Sequence, residues 1–362
     1  MSELQKAREI INNVDKEMAK LFELRMDAVK TVAAYKKENG LPIDDLSREA
    51  AILKRNAEYI ENEEYKSYYV EFLNNNITVS KKFQHKLLEG MKVAYSGVNG
   101  AFANIVAQRI FPDATCLPYA DFKSAYRAVE KGDCDCVVLP IENSFNGDVG
   151  NVLDLAFFGS LYINGVYEAE IVQNLLGVKG ASLSEIKKVI SHPQALGQCS
   201  TFIAKNGFIS EESVNTALAA KFVAEKNDKS LAAIGSLEAA ELFGLEVITE
   251  KINDSGTNTT RFAVFSRSCR NATPVDERFI MLFTVNNTAG SLGKAISVIG
   301  EHGFNLKALK SRPTKELVWD YFFYVEGEGN ISSAQGKEML TQLKDYCSDL
   351  KILGSFEKEI HV

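Results

Sequence analysis

Charged and amide side chains occupy positions in this sequence where apolar ones belong. In the first segment Leu4, Ala7, Ile11, Val14, Met18 and Leu21 recur at steps of three and four, which places them on one stripe of a helix. Continuing the same register lands on Arg25, then Ala28 or Val29, Val32 and Lys36, so two cations fall on the stripe. A later stretch repeats the anomaly: Leu73, Ile77, Ser80, Gln84 and Leu87 share one face, and Ser80 and Gln84 are polar. Cations in a helical seam either snorkel to the surface along their stems or meet an anion, because an unpaired buried charge costs several kcal/mol. Several such residues converging in one segment favour the anion, and a dicarboxylate is its best match.

A second constellation stands at the ends of short apolar runs. Pro140-Ile141-Glu142-Asn143-Ser144 follows Cys136-Val137-Val138-Leu139. Ser191-His192-Pro193-Gln194 follows Lys188-Val189-Ile190 and leads to Gln198, and Asn258-Thr259-Thr260-Arg261-Phe262 opens a third run. Open α/β sheets build sites at the C-terminal ends of their strands, although Ser, Asn and Thr there also serve as caps and turns. The chemistry on offer is hydrogen bonding and proton donation. Hydroxyls and amides are joined by one arginine suited to a carboxylate and one acid, Glu142, whose pKa burial would raise. Gly97-Val98-Asn99-Gly100-Ala101-Phe102-Ala103 fits either close backbone approach to an anion or a plain tight turn. No metal-ligand spacing links His85, His192, His302 and His361, and the six cysteines are scattered, as reduced and mostly buried thiols are. Neither a metal nor a cofactor is expected.

Three kinds of segment must hold these groups. Up to about Leu88 the pattern is helical, broken once at Asn39-Gly40-Leu41-Pro42. From Lys92 short apolar strands alternate with helical stretches, which is α/β wiring with largely parallel strands. After the polar stretch Arg267 to Asp276, a strand over Phe279 to Val285 and a helix over Gly290 to His302 begin a third segment. Strands over Asn305 to Lys310 and Val318 to Val325, a helix over Ser332 to Tyr346 and a strand over Leu350 to Leu353 complete βαββαβ, the ferredoxin-like order. The fold class is therefore multidomain: all-α, then α/β, then α+β, in 362 residues. With 46% hydrophobic and 25% charged residues the chain is globular, and a net charge of -7 argues against nucleic acid. No run approaches the roughly 18 apolar residues of a membrane span and no signal-peptide core follows Met1, so the expected address is cytoplasmic, with no membrane partner.

The spacing of Arg8, Arg25, Lys36, Asp45, Arg48, Glu49, Ser80 and Gln84 resembles the all-helical chorismate mutases, over about residues 4–88. The resemblance implies chorismate as substrate and an interlaced homodimer in which Arg8 reaches into the partner's site. It also implies Arg25, Lys36 and Arg48 on the substrate's carboxylates and ether oxygen. Lys36 and Gln84 would stabilise charge growing on that oxygen, and Glu49 would hold the ring hydroxyl. The three strand-end motifs, in their order and spacing, resemble the prephenate dehydratases from about Met91 to Arg267. That implies two lobes similar to the periplasmic binding proteins, with prephenate in the cleft between them. The implied site is Glu142, Asn143, Ser144, Ser191, Gln198, Thr260, Arg261 and Phe262, with Thr260 as proton donor, Glu142 as its rival, and Arg261 anchoring a carboxylate. The glycine loop departs from many relatives, since Ala101 and Ala103 stand where those have hydroxyl residues.

Thr288-Ala289-Gly290-Ser291-Leu292 and Lys310-Ser311-Arg312-Pro313 resemble the two ligand motifs of ACT domains, covering about residues 278–357. The implied ligand is phenylalanine, an allosteric inhibitor bound by Gly290, Ser291, Leu292, Ser311, Arg312 and Pro313 between paired modules of a dimer or dimer of dimers. The second motif usually begins with Glu, and this chain has Lys310. Such a charge reversal alters either pairing across the interface or the hold on the ligand's amino group. The alternative to a bifunctional enzyme is a binding protein whose cleft captures a small carboxylate for the sensor, with the helical segment only a dimerisation arm.

Overall fold

The computed structural model describes residues 2–38, 46–269, 272–273, 275–314, 321–358 and 360–362. The chain divides into two compact units, Met1–Met91 and Lys92–Val362. In the first unit α1 (Glu3–Glu38) and α2 (Leu46–Ala57) each pack on α3 (Glu63–Glu89). Asn62 starts α3 by accepting from Glu64 N at 3.0 Å. With 36 residues α1 spans about 54 Å, against 27 residues and about 40 Å for α3. Ala33, Leu73 and Ile77 are buried, whereas Leu4, Ile11 and Leu21 of the expected stripe are 60%, 57% and 64% exposed. The stripe therefore exists, but α2 and α3 leave its N-terminal half uncovered. The break expected at 39–42, and Asp45 with it, lie outside the described residues.

The second unit opens with β1 (Lys92–Ser96), α4 (Phe102–Ile110), β2 (Thr115–Tyr119), α5 (Phe122–Lys131), β3 (Cys136–Asn143), the short β4 (Gly147–Asp148), α6 (Gly150–Phe158) and β5 (Tyr162–Glu170). A second lobe follows: β6 (Asn174–Gly177), β7 (Lys188–Ser191), α7 (Pro193–Gln198), α8 (Ser200–Asn206), β8 (Ile209–Glu212), α9 (Thr216–Lys226), β9 (Leu231–Gly235), α10 (Leu237–Phe243) and β10 (Glu246–Thr249). Then β11 (Thr259–Ser266) returns to the first lobe. The first sheet runs β5-β11-β3-β1-β2 and the second β10-β6-β9-β7-β8. Pairing is parallel where β1 meets β2 and β3, and where β7 meets β8 and β9. It is antiparallel on both sides of β11 and of β6, so the sheets are mixed rather than largely parallel. Connectivity is the reason: β5 carries the chain out of the first lobe and β11 brings it back alongside, so the two must run in opposite directions.

The remaining elements are β12 (Arg278–Thr284), α11 (Ser291–Glu301), β13 (Asn305–Pro313), β14 (Tyr321–Glu328), α12 (Ala334–Leu343), β15 (Asp349–Phe356) and β16 (Ile360–His361). The first six give βαββαβ with an antiparallel sheet in the order β13-β14-β12-β15, while β16 pairs with β5 at the edge of the first sheet. Alternation along the strands gives this third sheet two apolar faces. Phe279, Met281, Phe283 and Val325 pack with Ala295, Val298, Ile299, Met339 and Leu343 of α11 and α12. Ile280, Leu282, Phe322 and Tyr324 pack instead with Leu139, Ile141, Val152, Leu153 and Ile163 of the first lobe. Phe322 stacks on Phe157 of α6 with ring centroids 4.0 Å apart and planes within 6°. At Gly354 the approach to β5 is so close that a Cβ would strike the Ile163 carbonyl, which only glycine avoids. Residues 278–357, which the sequence reads as a separate module, here complete the core of the first lobe. Among the described residues no helix is long and apolar enough to cross a membrane.

Since the Phe322 side chain is fully buried against a lobe other than its own sheet, Phe322→Ala is expected to destabilise the second unit by about 3–5 kcal/mol. Denaturant titration followed by fluorescence measures this, and an unchanged midpoint would mean that the sheet adds nothing to that core.

Candidate active sites

In the helical unit the polar seam is partly assembled within one chain. Arg25 Nη1 donates to Ser80 Oγ, which in turn donates to the Asn76 carbonyl at 2.8 Å. Arg25 is half-buried, and burial lowers its pKa from the usual guanidinium value. Ser80 and Gln84 are buried. The Gln84 amide reaches Ser80 O only at 3.5 Å and its Oε1 has no partner among the described residues, so this group is available to a ligand. Glu49 of α2 takes Lys81 of α3 at 3.1 Å, a cation that the stripe analysis misses. Lys36 is half-buried, and Arg8 and Arg48 are exposed. A hollow of about 550 Å³ between α1 and α3 runs past Arg25 and is lined by Met18, Phe22, Phe72 and Val79.

In the second unit a cleft of about 680 Å³ opens between the two lobes. Asn143, at the end of β3, organises it. Its Nδ2 donates to Thr260 Oγ1 at 2.8 Å and to Asn258 Oδ1 at 3.0 Å, while its Oδ1 accepts from the Phe145 and Asn146 N–H groups at 3.0 and 2.9 Å. Pairing register sets Thr260 directly opposite Asn143. Because Thr260 Oγ1 accepts from Asn143, its own O–H is left to donate into the cleft. Gln198 reaches the Asn258 oxygen at 3.5 Å and accepts from Gln173 at 3.5 Å, so a chain of amides crosses from one lobe to the other. His192 Nδ1 accepts from Gln194 N at 3.2 Å at the start of α7. Burial lowers the His192 pKa against the opposing pull of Glu212, which favours the neutral ring that the Nδ1 contact with Gln194 N calls for.

The first turns of α4, α6 and α9 line the same cleft, through Ala101 and Phe102, Gly150 and Asn151, and Asn215 and Thr216. No side chain caps α4 or α6. Helix starts present N–H groups and the positive ends of dipoles, so this cleft suits an anion. Gly100, at φ 84°, gives its N–H to Asn104 Oδ1 at 3.0 Å, which makes the glycine loop a tight turn leading into α4.

Strand alternation sends Thr260 and Phe262 to the cleft and Arg261 to the opposite face of β11, where Glu142 stands across from it. There Arg261 Nη1 and Nη2 fork onto Glu326 of β14 at 2.9 and 2.6 Å, and Nη1 also reaches Glu142 at 3.0 Å. Glu326 has no exposed surface. Lys310 of β13 joins Glu142 at 2.8 Å and Asp148 at 2.5 Å. Burial by itself would push the Glu142 carboxyl up, but hydrogen bonds and charge from Lys310 and Arg261 outweigh it and hold the group below the ordinary carboxylate value. Burial likewise works to lower the Arg261 pKa, and the Glu326 fork overrides it and raises the value.

These contacts correct part of the sequence reading. Asn143, Gln198, Thr260 and Phe262 line the cleft as expected, whereas Glu142, Ser144, Ser191 and Arg261 are not among its lining residues. Lys310 and Arg261 favour the charged form of Glu142, and the carboxyl is not among the residues lining the cleft, so its position does not suit a proton donor there. Arg261 is forked onto Glu326 and bonded to Glu142, and it does not line the cleft where a substrate carboxylate would lie. Ser191 is fully buried and donates to the Ile234 carbonyl at 2.6 Å, tying β7 to β9. Ser144 donates to Thr257 O and accepts from Thr259 N, both at 3.0 Å, which fixes the loop before β11. Gln173, His192, Asn215 and Arg312 also line the cleft. Gln173 lies in the short crossover from β5 to β6, where no periodicity marks it.

Of the expected effector residues, Gly290 at φ 85° starts α11, Ser291 Oγ lies 2.7 Å from Thr288 Oγ1, and Leu292 packs against the core beneath α11 and α12. The second motif is split by strand alternation. Ser311 and Pro313 are exposed, while Lys310 and Arg312 face the first lobe.

A family model of prephenate dehydratase matches residues 93–270, and one of chorismate mutase type II matches residues 7–85. A bifunctional chorismate mutase/prephenate dehydratase of Aquifex aeolicus is 32% identical, covering 99% of this chain and 99% of its own length. Arogenate dehydratase 2 of Petunia hybrida is 32% identical over 74% of this chain and 72% of itself. A solved prephenate dehydratase from Arthrobacter aurescens in complex with L-Phe superposes with a TM-score of 0.68 at 27% identity, covering 74% of this chain and 90% of that one. One polypeptide thus carries two enzymes of aromatic amino-acid synthesis, an isomerase and a lyase. The chain belongs to the bifunctional chorismate mutase/prephenate dehydratases.

The direction of the Glu142 shift fixes a pH dependence. A carboxyl whose folded pKa lies below its ordinary 4.5 contributes stability in full above that value and loses it as pH falls through the lowered one. The gap in Tm between the natural protein and Glu142→Gln should be constant above about pH 5 and shrink on further acidification. A gap that widens in acid would contradict the ion-pair assignment.

Proposed function

We propose that chorismate is rearranged to prephenate in residues 1–88, that prephenate is converted to phenylpyruvate in residues 91–267, and that residues 278–357 form a ferredoxin-like ACT module answering to phenylalanine. The protein acts in the cytoplasm as a homodimer or dimer of dimers. The uncovered N-terminal half of α1 supports an interlaced pairing, in which the partner's Arg8 completes the mutase site. The rearrangement needs no nucleophile and no proton transfer. Arg25 and Arg48 hold the carboxylates, Lys36 and Gln84 Nε2, which reaches Ser80 O only at 3.5 Å, donate to the ether oxygen as charge grows there, and Glu49 holds the ring hydroxyl. Asp45 belongs to the same set by its position in the motif.

In the dehydratase, loss of the ring carboxylate as carbon dioxide pushes an electron pair into the ring, and the ring hydroxyl leaves as water once protonated. Thr260 is the donor at that oxygen, and the observation that carries this role is the Asn143 amide bond to Thr260 Oγ1 at 2.8 Å. Asn143 and Gln198 position the substrate, Phe262 walls the cleft, and the helix starts offset the charge of the dianion. Ser144, Ser191, Glu142 and Arg261 hold the frame. Phenylalanine binding is supported by the L-Phe complex of the Arthrobacter relative, with Gly290, Ser291, Leu292, Ser311 and Pro313 as its contacts, while Arg312, which the motif also assigns to the effector, is drawn away by its fork onto Asp154.

Conversion of chorismate to phenylpyruvate by purified protein, with and without phenylalanine, tests the whole scheme. Lys36→Ala should remove most mutase activity and spare the dehydratase. Thr260→Ala should lower dehydratase kcat by about 10²–10⁴-fold, and Glu142→Gln by far less. Equal losses in the two dehydratase variants would count against Thr260, and a rate that phenylalanine leaves flat up to millimolar concentration would count against an effector site.

A further inference from the structure

Among the described residues that line the dehydratase cleft, Arg312 alone carries a permanent positive charge. It comes from β13 of the third sheet, and its motif is the one that resemblance links to the effector. Its setting is that of a held anchor. Asp154 of α6, itself 8% exposed, takes the Nε and Nη2 edge of the guanidinium at 2.6 and 3.0 Å. The group lies against the first turn of α6 so closely that a Cβ on Gly150 would collide with Nη1, Nη2 and Cζ. Glycine at the start of α6 is therefore what admits the arginine. Asp148 also acts on the guanidinium, through charge, but one forked carboxylate on one edge does not exhaust five N–H donors, and the uncapped start of α6 adds its own positive end at the same place.

We infer that Arg312 binds the carboxylate that prephenate keeps, the one on its pyruvyl side chain, so that the C-terminal sheet supplies part of the dehydratase site. The inference rests on the assignment of the cleft to the dehydratase. Electron flow decides between the substrate's two carboxylates. When the ring carboxylate leaves as carbon dioxide, its C–C bonding pair enters the ring, the C–O bond to the ring hydroxyl breaks, and the departing oxygen takes a proton and leaves as water. A guanidinium on the ring carboxylate would hold that pair back. On the side-chain carboxylate it orients the substrate without opposing the step.

Phenylpyruvate keeps the side-chain carboxylate and lacks the ring one, so its binding to the full-length protein reads the anchor directly by calorimetry. Arg312→Gln is expected to weaken phenylpyruvate binding about tenfold or more, and to raise the prephenate KM by a similar factor with a smaller change in kcat. Arg312→Lys should fall between. Phenylpyruvate affinity and KM within about twofold of the natural protein would overturn the inference, as would an effect confined to phenylalanine inhibition. If Arg312→Gln does not fold, Asp154→Asn carries the same test, because it keeps the arginine and releases its fork: weaker phenylpyruvate binding supports the anchor and unchanged binding overturns it. Natural protein that binds phenylpyruvate but makes none from prephenate would count against the dehydratase assignment and not against Arg312.

Discussion

A carboxylate with no exposed surface, Glu326, lies where the C-terminal sheet meets the first lobe, and Arg261 forks onto it at 2.6 and 2.9 Å. Separating the two would strand both charges, which costs several kcal/mol for a buried ion left unpaired. The same arginine holds Glu142, and Glu142 holds Lys310, so charges of alternating sign run across the seam. Packing of Phe322 on Phe157 supplies attraction without direction, whereas this network fixes register. Arg261 lies in sequence between Thr260 and Phe262, so pinning it on the far face of β11 steadies the hydroxyl and the aromatic wall on the near face.

What the sequence revealed followed what periodicity can carry. The helical seam was legible because Arg25, Ser80 and Gln84 break a regular stripe, but the stripe says nothing of which element covers it, and α3 is too short to do so. Asn143, Gln198, Thr260 and Phe262 were legible as strand-end groups in an order that a family shares. Arg261 misled because a sequence displays a charge and not its partner, and Glu326 is 65 residues away along the chain. Alternation predicts that Thr260 and Arg261 face opposite ways, yet only the neighbouring strands show which way the cleft lies. Gln173 stands in a crossover with no pattern at all, and its place at the cleft is a product of topology.

Lys310 reads differently once its neighbours are known. It sits between Glu142 and Asp148, so a glutamate at that position would bring three carboxylates together beside Tyr324. The letter that departs from the motif is thus matched to its surroundings in this chain. Its neighbour two residues on, Arg312, faces the same lobe, and the strand that carries both is a structural partner of the catalytic unit.

An interlaced pairing over the uncovered stripe of α1 would give the two halves of the enzyme a different molecularity. Both lobes that wall the dehydratase cleft belong to the same chain, while Leu4, Ile11 and Leu21 would be covered by a second one if the mutase is built from interlaced helices. Under that pairing dilution would act on the mutase first, and a solitary chain would consume an intermediate that it could no longer make.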